Sequence, residues 1–286
     1  MKKTFYIVLL IIITLIIGRN LTFLPKFDFL SNPKNEVESL KKDVGDLIAR
    51  NRGSYAVYFL SLSKDKSFGI NQNGVYTGAS VNKVPIIAVL YYLASKNKIN
   101  LDEKVTIQQT DIQDYGTGIL RYEKEGAVYS LRTLARLSLQ KSDNTAIYVL
   151  LGKIGEETVQ KTIKAWGLTQ TDIANNKTSL TDIAILFQKI YNQEVLTSSL
   201  TKELLGFLTD TDIEDRIPRL LPENTIIYHK TGDAIGTMHD VGIIKNKDTV
   251  FFLGVLTSDI GDKEKEAQNT IAEIAKRVFD FEMKQR

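Results

Sequence analysis

Strand-like patterning sits at both ends of this chain's foldable region, with helical periodicity between them, and that arrangement most restricts its fold. Tyr55–Leu62 is rich in aromatic and apolar residues, Ser63-Lys64-Asp65-Lys66 makes a polar turn, and Ser67–Asn71 can return as a second strand. Thr225–Lys230, His239–Lys245 and Thr249–Thr257 read as three more strands. Between Leu101 and Leu200 the spacing is helical, with segments near Ser130–Gln140, Asn144–Gly152, Glu156–Trp166, Leu180–Tyr191 and one after Ser198. Short strands so far apart bury their apolar faces economically by joining one sheet. The expected fold is an α/β (α+β) sandwich: a mostly antiparallel sheet built from both chain ends, covered by terminal helices at Asn35–Asn51 and Asp262–Lys284. An all-helical lobe, about residues 100–215, is inserted between. Functional sites favour the cleft such lobes create.

A chain of 286 residues, 43% of them hydrophobic, can bury a core for one large domain with an inserted lobe. A net charge of +3 with acids and bases interspersed gives no basic stripe, so no nucleic-acid partner is expected. The absence of cysteine excludes disulfides, a thiolate nucleophile and cysteine-ligated metal; two histidines argue against a histidine-rich metal site. No metal or cofactor is expected, and a monomer is. Lys2 and Lys3 precede the uncharged run Phe5–Ile17, whose 13 residues fall short of the roughly 20 needed to span a bilayer. No small-x-small cleavage site follows, and Leu21–Leu24 can extend the run. Residues 1–24 are therefore expected to be a signal peptide or a membrane anchor, 25–35 a linker, and 36–286 a folded domain outside the cytoplasm.

Tyr76-Thr77-Gly78-Ala79-Ser80-Val81-Asn82-Lys83 reads as a loop becoming a helix at a serine. Val81–Ser95 is apolar all round, the pattern of a buried helix. At i and i+3, Ser80 and Lys83 share a helical face, placing a hydroxyl beside a potential base. The first turn offers backbone N–H groups and the positive dipole end to an oxyanion. A serine that only caps its helix would give the same local pattern.

Two further motifs follow in order, Ser142-Asp143-Asn144 and Lys230-Thr231-Gly232. At average residue usage each tripeptide occurs by chance in only about a few per cent of chains this long. With these three motifs the chain resembles the class A β-lactamase and penicillin-binding serine acyltransferase superfamily. The resemblance runs from about Tyr55 to the C-terminal helix and includes Tyr115-Gly116-Thr117-Gly118-Ile119-Leu120, Ser179-Leu180-Thr181-Asp182-Ile183-Ala184 and Ile217-Pro218-Arg219. It implies a β-lactamase/transpeptidase-like catalytic domain acylated at Ser80 by a β-lactam or a D-Ala-D-Ala-like peptide. Lys83 can act as base only if burial and a nearby cation, such as Lys230, make its amine neutral. Across the cleft, by the resemblance, Ser142 relays a proton to the leaving nitrogen, while Asn144 holds Lys83 and the substrate amide. Asp143 is expected to brace its own loop. Lys230 and Thr231 suit a substrate carboxylate. Gly232 clears the strand edge for an extended ligand, and by family analogy the backbone N–H of Asp233 is the second oxyanion donor.

One departure stands out. The family's omega loop carries a glutamate that activates the deacylating water, but no glutamate lies between Glu157 and Glu194. Leu168–Thr178 is only 11 residues and offers Asp172, Asn175 and Asn176. Asp172 either replaces the missing base or satisfies its own turn. Tyr115 either lines the cleft rim or anchors its loop. His229 and His239 have no ligand-spaced partner in sequence and read as packing or surface residues, and Trp166, Tyr91 and Tyr92 as core. Besides a slowly deacylating β-lactamase, a penicillin-binding D,D-peptidase acting on peptidoglycan stem peptides fits the motifs. A non-catalytic cell-wall-binding module would not need a nucleophile with its base.

Overall fold

Helix α1 (Pro33–Ile48) leads into the hairpin of β1 (Ser54–Ser61) and β2 (Ser67–Ile70), where the computed structural model, which describes residues 33–284, begins its sheet. The expected export segment, 1–24, and most of the linker lie outside the described residues. The chain returns to the sheet only with β7 (Ile226–Ala234), β8 (Thr237–Asn246) and β9 (Thr249–Ser258). The order is β2-β1-β9-β8-β7, antiparallel throughout, with Ser54 opposite Ser258 and Thr231 opposite Asp240. The sheet is thus assembled from both chain ends, and β7 is an edge.

Alternation along the strands splits the interior in two. Val57, Phe59, Phe251 and Leu253 face α1 and the closing helix α8 (Glu264–Lys284), whereas Ala56, Val241 and Phe252 face the inserted lobe. Burial of both faces explains why Thr249–Thr257 reads as a nearly unbroken apolar run. At the centre of the lobe lies α2 (Lys83–Ser95), buried from Lys83 to Tyr91 because helices pack around it. Those helices include α3 (Leu131–Gln140), α4 (Asn144–Ile154), α5 (Glu156–Ala165) and α7 (Ser198–Gly206). Trp166 meets Tyr92 edge-on at 5.4 Å, and the buried Tyr91 hydroxyl donates to Glu203 at 2.6 Å, so these aromatics belong to the core.

α6 (Leu180–Tyr191) has the bounds its spacing predicts, with the Ser179 hydroxyl accepting from the Asp182 N–H at 3.2 Å. Ser179 and Asp182 form only half of a capping box. The Asp182 carboxylate turns instead to the Gln170 and Thr171 N–H groups at 2.8 and 2.7 Å, tying down the loop before the helix. Two small ladders interrupt the helical lobe: β4 (Lys104–Thr106) with β5 (Val128–Ser130), and β3 (Tyr76–Thr77) with β6 (Lys177–Thr178). Strands of two or three residues are too short to show alternation in sequence.

Candidate active site

Ser80 lies in a 3-10 turn, Ala79–Asn82, that passes into α2 at Lys83. Ala79 takes φ +46°, a conformation costly for a side chain with a Cβ, so neighbouring contacts must hold the turn. Two of them come from the shortened loop: the Asn176 carbonyl accepts from Gly78 N–H at 2.8 Å, and its side-chain oxygen accepts from Asn82 Nδ2 at 2.8 Å. The third is β7. A Cβ on Gly232 would stand 3.1 Å from Val81 Cγ2 and 3.2 Å from the Gly78 carbonyl oxygen. A side chain at 232 would therefore crowd the serine turn.

Lys83 is buried, and its amine donates to Asn144 Oδ1 at 2.8 Å and to the Ser142 carbonyl, with Ser142 Oγ at 3.3 Å. Those contacts run across the cleft to the second motif, and no hydrogen bond joins this amine to the Ser80 hydroxyl among the described residues. Burial, then the charge of Lys230, pushes the Lys83 amine well below its ordinary value, against the opposing pull of Asp143. Lys230 donates to Ser142 Oγ at 3.1 Å and to its neighbour's carbonyl at Thr231 at 3.0 Å. Its burial, aided by Arg216 and opposed by Asp240 and Asp233, lowers its pKa to about 8. The Ser142 hydroxyl therefore stands between two buried amines, both lowered by burial.

Ser142 adopts φ +52°, another strained position, fixed through its carbonyl by Lys83 and by the Thr117 hydroxyl at 2.9 Å. Asp143 is wholly buried and caps α4 through Ala146 N–H at 2.9 Å, while its other oxygen accepts from Ile119 and Leu120 N–H at 2.7 and 2.8 Å. It braces its loop, as expected. Gly118, at φ +118°, gives that carboxylate room; a Cβ would lie 2.5 Å from it. Asp143→Ala strands three N–H groups, so unfolding free energy should fall by about 3 kcal/mol or more, measured by urea denaturation. A loss under about 1 kcal/mol would contradict the bracing role. Asn144 also donates to the Tyr115 carbonyl at 3.0 Å.

Two charged groups escaped the sequence reading. Arg216, 2% exposed at its side chain, donates to Asp233 Oδ1 and to the His239 carbonyl, both at 2.6 Å. It lies one residue before the quoted Ile217-Pro218-Arg219, and nothing local marks it. His229, read from the sequence as a packing or surface residue, has two carboxylate partners: Asp240 Oδ1 at 2.8 Å from Nδ1 and Glu214 Oε1 at 3.2 Å from Nε2. Strand pairing and a loop bring them together, which ligand-type spacing along the chain does not show. Burial alone would lower the His229 pKa, but Asp240 and Glu214 outweigh it and raise it to about 9. This imidazolium fixes the loop that carries Ile213 to the cleft. Because the folded value exceeds the unfolded one of about 6.5, the stabilisation is complete below pH 6.5 and disappears as pH rises through about 9. Melting temperature should fall by several degrees over that window, and less in His229→Gln; parallel pH profiles would refute the clamp. His239, buried and held down to about pKa 4 by desolvation, is a neutral staple that donates to the Thr77 carbonyl at 2.8 Å and accepts from Thr257 N–H at 3.1 Å.

Ser80, Lys83, Ser142, Asn144, Thr231 and Asp233 border one cleft of about 790 Å³. A smaller recess of about 280 Å³ shares Ser142 and Thr231 and is lined by Lys230. Tyr115, 64% exposed, and Ile235 on the β7–β8 turn both border the cleft. Of the shortened loop, Ile173 and Asn176 reach the cleft. Asp172 does not line it; its carboxylate accepts from the N–H and side-chain nitrogen of Asn175, both at 2.9 Å, which also lower its pKa. It satisfies its own turn.

A five-stranded antiparallel sheet, an inserted helical lobe and a cleft holding all three motifs define a class A β-lactamase/transpeptidase-like protein. Residues 39–281 match the beta-lactamase enzyme family, and the chain belongs to that family. It is similar to beta-lactamase BRO-1 of Moraxella catarrhalis, 25% identical over 224 residues that cover 71% of each chain. Beta-lactamase VEB-1 of Pseudomonas aeruginosa is 24% identical over 263 residues, 82% of this chain and 87% of that one. A leucine-to-glutamate variant of PBP-A, solved as an acyl-enzyme complex with penicillin G, superposes with a TM-score of 0.80 at 24% identity, covering 85% of this chain and 96% of that one.

Proposed function

We propose that this protein is an extracytoplasmic serine acyl-transfer enzyme that opens β-lactams at Ser80 and releases the product slowly. The observation that carries the reading is Lys83: a buried amine held against Ser142 and Asn144, with burial and Lys230 favouring its neutral form. The Ser80 oxygen attacks the β-lactam carbonyl and its proton passes to Lys83. As the C–N bond breaks, Ser142 gives its proton to the nitrogen, and the Lys83–Ser142–Lys230 contacts restore it. The N–H groups of Ser80 and Asp233 receive the oxyanion. No described carboxylate borders the cleft where the second base would act, Asp233 on the opposite strand being paired with Arg216. That observation also favours the D,D-peptidase reading, in which a peptide acyl-enzyme passes to an acceptor amine. The uncharged N-terminal run would deliver the domain to the substrate side of the membrane.

Incubation with a fluorescent penicillin tests the proposal. One adduct on the peptide containing Ser80, surviving for minutes, is the expected result. Rapid loss of label points to an efficient β-lactamase, and labelling of no residue rejects both enzymatic readings.

A further inference from the structure

The helix that carries Asn144 into the site has two apolar faces. Ala146, Leu150 and Ile154 turn one of them into the core, as an amphipathic α4 requires. Asn144, Ile147, Tyr148 and Leu151 stand at i, i+3, i+4 and i+7, and this second stripe lines the large cleft. Ile147 and Leu151 are only half-buried, and Tyr148 is 50% exposed. At 1.5 Å per residue the stripe runs about 10 Å from Asn144, which accepts from the Lys83 amine, to Leu151. The other walls are apolar as well. Ile86 follows Lys83 one turn along α2, and Ile173 enters from the shortened loop. Gln160 on α5 pins that loop on both sides of Asp172: its Nε2 donates to the Thr171 carbonyl at 2.8 Å, and its Oε1 accepts from Ile173 N–H at 3.0 Å. None of these apolar residues lines the smaller recess, where Ser142, Lys230 and Thr231 meet Arg121 and Lys141. The site is thus polar beyond Ser142 and apolar along α4.

We propose that the α4 stripe, with Ile86 and Ile173, is a binding pocket for an extended apolar group on the acyl side of the donor. In the acyl transfer described above the leaving nitrogen must face the Ser142 hydroxyl. The leaving group then lies toward the polar recess, and the acyl side chain lies toward the stripe that begins at Asn144. The short loop keeps this stripe accessible, because Leu168–Thr178 gives the cleft only Ile173 and Asn176. An alkyl group leaving water for apolar walls gains roughly two- to fourfold in affinity per methylene, the upper figure applying to full burial. The inference rests on the reading of the cleft as a Ser80 acylation site and adds the class of donor, one with a long alkyl or aryl acyl group in place of a small or charged one.

The test compares two penicillins that differ only in the acyl side chain, 6-acetamidopenicillanic acid and its hexanoyl counterpart. Second-order rates of adduct formation on the full chain are followed by intact-protein mass spectrometry. Four added methylenes should make the hexanoyl compound roughly 20- to 200-fold faster. Leu151→Asn, which puts an amide at the far end of the stripe, should cut that ratio by about fivefold or more. Tyr148→Ser, at a half-exposed position that folding tolerates, should cut it by about threefold and carries the test if Leu151→Asn does not fold. A merely structural role for either residue would slow both penicillins together and leave the ratio unchanged. A hexanoyl-to-acetyl ratio within about twofold of one in the native chain, or a high ratio that neither variant lowers, overturns the proposal. Failure of the native chain to form any adduct would instead defeat the acylation reading. The pocket is then judged by NMR titration of the same two penicillins against Ser80→Ala, where equal affinities overturn it.

Discussion

Ser80→Ala is expected to abolish covalent labelling by β-lactams, and Lys83→Ala to slow it by about 10²- to 10⁴-fold. Ser80 borders the cleft at the start of α2, beside an amine that burial and Lys230 favour in its neutral form. Alanine at 80 leaves no oxygen to form the ester. Alanine at 83 removes the base and also leaves Asn144 Oδ1 and the Ser142 carbonyl without their shared donor, while the Ser142 hydroxyl keeps only its Lys230 contact. Lys83→Arg should not rescue the rate, because a guanidinium stays protonated. Intact-protein mass spectrometry over time checks all three variants. An adduct of full stoichiometry in Ser80→Ala would place the nucleophile elsewhere.

Turnover of a chromogenic β-lactam should show a burst close to one equivalent of enzyme, followed by a slow phase. Hydrolysis of the acyl-enzyme needs a base for water, and an unactivated water forgoes about 10²- to 10⁴-fold. The shortened loop gives the cleft Ile173 and Asn176, and its one acid is committed to Asn175. Asp172→Asn should therefore leave both burst and slow phase unchanged. Rapid linear turnover would mean that an acid outside the expected place activates water. Loss of the slow phase in Asp172→Asn would identify that acid.

Much of the fold was legible because periodicity reports burial. Leu180–Tyr191 kept its predicted bounds, and the aromatic and apolar runs Tyr55–Leu62 and Thr249–Thr257 gave strands close to those observed. The short ladders at 104–106 with 128–130 and at 76–77 with 177–178 left no such trace, since two or three residues define no period. In the site, residues carried by motifs could be named, but their partners could not. The i, i+3 spacing of Ser80 and Lys83 suggested a direct bond; the 3-10 turn and the second motif direct the amine to Ser142 and Asn144.

By itself the sequence determined the sheet drawn from both ends, the helical lobe between and the three motifs that meet in a cleft, because those depend on pattern and residue type. Tertiary structure decided where charges are spent. His229 gained Asp240 through the pairing of β7 with β8, and Asp233 gained Arg216 from a loop 17 residues earlier. Gly232 lets the serine turn pack closely beneath β7. Such contacts arise between segments distant along the chain, and a buried charge must find its partner in space, wherever the backbone brings one.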